Sequence, residues 1–132
     1  MLASVPLLVI PFIIYNLGLA GFGAGVDPWA QPLFSVTMVS GGVFTLDWGT
    51  ALVVLALLLL FVEMLKSTRT SNASVVDHVL SIFVFVAFLV EFLLVRGAAH
   101  PVFLVLTVTA LVDVLAGFTV TLRSAGRDVH FG

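Results

Sequence analysis

Asp113 stands near the middle of LTVTALVDVLAGFTVTL, an apolar run with no other charge. A carboxylate in such a run must be protonated, hydrogen-bonded to a neighbour or turned to a hydrated path, because lipid offers it no partner. At about 1.5 Å per residue it lies about 15 Å from the inner end of its span. Tyr15 and Asn16, at comparable depth in the first apolar run, are its best polar partners. Three roles stay open for Asp113: a helix–helix hydrogen bond that fixes packing, a proton or ion relay, or contact with a ligand or partner subunit.

Glu63, Asp77 and His78 form a second candidate, all within roughly one turn of the inner membrane surface. In a structural reading Glu63 pairs with Lys66 or Arg69, Asp77 caps the third helix, and His78 is an interfacial polar residue. In a functional reading a carboxylate tunes the histidine for proton transfer near neutral pH. No HxxxH or ExxH pattern supports a metal site there. Glu91, five residues before Arg96, is the third intramembrane acid, and an ion pair between the two suits it better than catalysis. Ser81, Thr107, Thr109, Thr119 and Thr121 can return their hydroxyls to their own helix backbones. No Ser/His/Asp constellation, phosphate loop, dinucleotide fingerprint or haem-attachment motif is present, so no cofactor is expected.

The elements that must position these groups follow from composition. Of 132 residues, 61% are hydrophobic and only 9% charged, far from soluble averages. The absence of cysteine rules out disulfides and thiolate sites, and a net charge of −2 offers nothing to nucleic acid. Apolar stretches at 2–24, 48–65, 75–95 and 101–122 meet the bilayer requirement of about 20 helical residues. The expected fold is an all-α integral membrane protein, one membrane domain over 1–132, with four transmembrane helices and an extracytoplasmic β-hairpin between helices 1 and 2. Pro11 inside the first span predicts a kink. A cleaved signal peptide competes for residues 2–24, but the basic n-region is missing. Ser74, with Asp77 three residues on, reads as the N-terminal box of the third span, and Pro101 as a first-turn proline of the fourth.

Lys66 and Arg69 lie in the inner loop 66–74, Arg123 and Arg127 in the tail 123–132, and Arg96 alone on the other side. This bias puts both termini in the cytoplasm and the loop 25–47 outside. A bacterial inner membrane is the expected location. Trp29 and Trp48 then fall at aromatic-belt positions. The short connections predict an antiparallel up-down bundle of spans two, three and four, with span one packed more loosely. Gly21-x-x-x-Gly25 is a small-residue face on which helices could approach.

Within the outer loop, Asp27-Pro28-Trp29-Ala30-Gln31-Pro32 reads as a cap, a first-turn proline and one helical turn. The period then changes to two through FSVTMVSGGVFTLDW. A three-residue loop Ser40-Gly41-Gly42, with Gly42 left-handed, pairs Thr37 with Thr45, Val36 with Leu46 and Phe34 with Trp48. It places Phe34, Val36, Met38, Phe44, Leu46 and Trp48 on one apolar face. Asp47 caps the following helix. An isolated hairpin is marginal in water, so this face is expected to rest on helix ends, lipid or another subunit; a re-entrant loop is the alternative.

In length and span number the chain is similar to small multidrug-type transporters. Their essential membrane glutamate lies in the first helix, whereas residues 2–24 contain no acid, so that activity does not carry over. The expected function is a self-associating structural or accessory subunit without catalytic activity, with lipid and a homo-oligomer or membrane-protein complex as partners. The alternative is an oligomeric proton-linked channel or transporter using Asp113.

Overall fold

The computed structural model describes residues 5–21, 25–67 and 72–131. Four helices, α1 (Val9–Gly21), α2 (Trp48–Ser67), α3 (Asn72–Leu94) and α4 (Pro101–Phe131), are joined by one two-stranded hairpin, β1 (Pro32–Thr37) and β2 (Val43–Asp47). Stretches of α2, α3 and α4 are each long and apolar enough to cross a membrane, and α1 is a shorter apolar helix. This is the composition of a helical membrane protein, its polar side chains turned inward and its outer surface apolar.

The four helices differ from expectation at their ends, for local reasons. α1 has only 13 helical residues, about 20 Å of rise, because Pro6 and Pro11 delay its start. It begins at Val9, which leaves Pro11 in the first turn, where its missing N–H is not required; the expected internal kink is absent. α3 begins at Asn72, so Ser74 sits inside the helix instead of capping it; the side chain of Ser74, like Arg69, lies outside the described residues. α4 runs 31 residues, about 46 Å, against a hydrocarbon core of about 30 Å. The tail expected from residue 123 is therefore a continuation of the helix.

α4 is the central element, packed along both α2 and α3, which touch each other little. α1 makes fewer contacts, with α2 and α4, yet both its ends are fastened. Its leading residues reach Glu63 and Lys66 at one end of the bundle, and Tyr15 donates to the Gly97 carbonyl at the α3–α4 turn, 2.8 Å away. Beneath that turn the core is aromatic. Tyr15 stacks on Trp29 at 4.8 Å and 15°, Phe103 lies 4.8 Å from Tyr15 and 5.3 Å from Phe88, and Phe12 meets Phe88 edge-on.

Trp29 is thus 6% exposed and belongs to the core instead of an aromatic belt. Asp27 turns it inward by accepting from the Trp29 N–H at 3.0 Å at the head of the 3-10 turn Pro28–Ala30. The space exists because neighbours lack side chains: a Cβ on Gly18 would stand 2.5 Å from the indole, and one on Gly49 2.9 Å from the Trp29 carbonyl oxygen. Gly25, with φ +88°, is not in right-handed helical geometry, so Gly21 and Gly25 do not form a helical small-residue face.

The hairpin has the expected loop type one residue earlier. Met38 N–H donates to Gly42 O, Gly41 N–H donates to Met38 O, and Gly41, at φ +91°, takes the left-handed position. Val36 consequently pairs with Phe44, Ser35 with Thr45 and Phe34 with Leu46. A bulge between Pro32 and Phe34 brings Pro32, not Ser35, opposite Asp47, and the Trp48 N–H bonds Gln31, not Phe34. The register moves by two, and a shift of two leaves every side chain on its face. Phe34, Val36, Met38, Phe44 and Leu46 still share one side, and the Ser35 and Thr45 hydroxyls meet at 2.7 Å on the other.

Candidate functional site

The densest polar site lies where α2 ends and α3 begins. Glu63 and Lys66 share a face of α2 through i,i+3 spacing, and the short connection to α3 brings Asp77 opposite them. The Lys66 ammonium stands 3.0 Å from Glu63 Oε1, 3.0 Å from Asp77 Oδ1 and 2.6 Å from the Val5 carbonyl. Three acceptors match its three donors. Glu63, 1% exposed, also accepts the Leu7 N–H at 2.6 Å. The expected Glu63–Lys66 pair is present, and Asp77 is also an ion-pair partner of Lys66; the expected cap by Asp77 lies outside the described residues.

Asp113 joins this cluster. It is 7% exposed on α4 and stands near Ser81, Asp77, Lys66 and Glu63. Ser81 in turn donates to the Asp77 carbonyl at 2.9 Å. The expected partners of Asp113 are engaged elsewhere: Tyr15 holds Gly97, and Asn16 donates to Phe12 O and lies near Glu91. The late start of α1 is the cause, since it carries Tyr15 and Asn16 toward the hairpin end. Glu91 accordingly lies near Asn16 and forms no ion pair with Arg96, and its Oε2 is buried without a hydrogen-bond partner. His78 packs its ring on Gly117, where a Cβ would stand 2.5 Å from Nδ1. Gly117 is one turn beyond Asp113, so the histidine flanks the cluster.

Two carboxyls therefore hold one ammonium, and a third, Asp113, lies near them. Such a group can hold helices in register, and its excess of carboxyls can take up and release a proton. The described residues contain no group of three or more ligands able to hold a metal ion.

At the opposite end, His100 Nε2 lies 2.9 Å from Asp27 Oδ2, while Nδ1 accepts the Val102 N–H at the start of α4. Nδ1 being an acceptor, Nε2 carries the proton and donates. That hydrogen bond is the main reason Asp27 titrates below its ordinary value, and the Thr50 N–H does the same for Asp47, which caps α2 at 2.6 Å as expected. Asp27, Asp47, Trp29, Gly49, His100 and Val105 line an open groove of about 300 Å³ between them.

Apart from Asp47, the hairpin stands clear of both sites. All of β1 is exposed, and only Leu46 and Asp47 of β2 are half-buried. Trp48, which belongs to α2, is 49% exposed.

The Lys66–Asp77 bridge was within reach of sequence reasoning, because a tight helix connection apposes the last turn of one helix and the first of the next. Asp113 has no such local signal: its place depends on how α4 rotates against α3. His100 as a joint cap and latch was missed as well, although a histidine just before a helix-initiating Pro101 is a cue. Compared with protein-family models, curated proteins and solved structures, the chain matches none of them.

Proposed function

We propose that this chain is a self-associating structural or accessory subunit of a membrane, and not a catalyst. It would cross the bilayer four times, both termini in the cytoplasm and the hairpin outside, in a bacterial inner membrane. The observation that carries this reading is the hairpin: a two-stranded sheet with both edges open and no charge between residues 28 and 46. Such a sheet is at most marginal alone, and open edges accept further strands. Glu63, Asp77 and Asp113 are meanwhile buried inside the bundle. The test is the mass of the protein in mild detergent and in lipid nanodiscs. A defined oligomer that falls apart when residues 33–45 are replaced by a Gly-Ser loop supports the reading, and a monomer in both media overturns it.

Asp113 within the Lys66 cluster favours a second reading, a proton-linked channel or transporter assembled from several copies. Proton flux into vesicles that is lost in Asp113→Asn supports it. Flux unchanged in that variant removes its central residue.

A further inference from the structure

We infer that the apolar face of the hairpin is seated on the bilayer surface at headgroup level, with its Ser/Thr face in water. This rests on the chain being a membrane protein and not on its self-association. Phe34, Val36, Met38 and Phe44 share one face and are 44–50% exposed, so water is an unfavourable surrounding for them. The hydrocarbon core is equally closed to the hairpin, because its edge N–H and C=O groups would have no partners there. The interface satisfies both demands: acyl chains for the side chains, water and headgroups for the edges.

Placement and charge agree. Asp27 and Asp47 bound the uncharged stretch, and both are fixed at its root by caps, so no charge beyond the root ties the strands to water. Trp48, of a type enriched at membrane interfaces, opens α2 at that root. The exposed side chains of α2 that follow, Val54, Leu57, Leu58 and Phe61, are apolar. The hairpin's apolar face thus begins where the lipid-covered surface of α2 begins. Leu46, the residue of that face nearest α2, is half-buried, and β2 contacts α2, so the apolar face joins the bundle at its root.

The chain has no cysteine, which permits single nitroxide labels on the full-length protein in phosphatidylcholine/phosphatidylglycerol vesicles. Labels at Phe34→Cys, Val36→Cys, Met38→Cys and Phe44→Cys should collide severalfold more with oxygen, which concentrates in lipid, than with a water-soluble nickel chelate. Labels at Ser35→Cys, Thr37→Cys and Thr45→Cys should show the reverse. Equal access of the chelate to all positions would place the hairpin in water and overturn the proposal; shielding of the apolar positions from both reagents would assign the face to protein. Should labels perturb the strands, the added fluorescence of Met38→Trp over wild type gives the same decision. Quenching by lipids brominated near the headgroup supports the proposal, whereas quenching by aqueous iodide alone, or by neither, overturns it. A monomer that keeps the alternation would leave this inference standing and remove self-association.

Discussion

α1 is fastened at both ends, by charge at one and by aromatic rings at the other. Near Lys66, a single ammonium joins the Val5 carbonyl to Glu63 and Asp77. Near the α3–α4 turn, Tyr15 lies between Trp29 and Phe103, with one hydrogen bond to Gly97. The charged joint depends on a complete set of partners, since loss of one leaves the others buried and unmatched. The aromatic joint depends on volume and shape, so its losses should scale with the atoms removed.

The sharpest way to break this contrast is Lys66→Met. It should cost about 3–5 kcal/mol by the precedent of broken buried ion pairs, measured by denaturant unfolding in detergent. Adding Glu63→Gln and Asp77→Asn should recover much of the loss; no recovery would mean that the joint does not act through charge. Phe103→Ala should cost about 3 kcal/mol, and no change in acid should restore it. Gly18→Val drives a side chain into the Trp29 ring and should cost about 1–3 kcal/mol, with a change in tryptophan emission as the second readout. Tyr15→Phe, which keeps the ring and removes only the bond to Gly97, should cost about 1 kcal/mol.

The smallest effect sharpens the comparison by pH. The folded-state pKa of Asp27 lies below its ordinary value of 3.8, chiefly because His100 donates to it. The unfolded chain therefore binds this proton more readily than the folded chain. The latch contributes fully above the ordinary value and fades as pH falls through the depressed one. Below about pH 4, amide exchange at the first turn of α4 should quicken in the wild type relative to its value at pH 6, after correction for intrinsic rates. Asp27→Asn should lose most of that difference.

Sequence reading succeeded where the signal was local. Apolar length located three of the helices, Asp27 and Asp47 announced their caps, and two-residue alternation assigned the faces of the hairpin. Register failed because Gly41 and Gly42 can each supply the left-handed residue, and a shift of two preserves the alternation. Asp113 was legible as an anomaly, but its neighbours were not, because they depend on the rotation and axial offset of packed helices. An error of a few residues in the start of α1 put Tyr15 beside Asp113, where the fold puts Ser81. Trp29 shows the same limit: its burial depends on Gly18 and Gly49, neither of which is a local signal for the other.

The attachments of α1 also set an order of assembly. Leu7 waits for Glu63, 56 residues later, Val5 for Lys66, 61 later, and Tyr15 for Gly97, 82 later. At about 5–20 residues per second of synthesis, the last delay amounts to several seconds. Until Glu63 and Lys66 emerge α1 has none of these three contacts, and until Gly97 emerges it still lacks the last. A chain stalled before α4 therefore holds α1 by the Lys66 joint and by the rings of Trp29 and Phe88, without the Gly97 bond or Phe103.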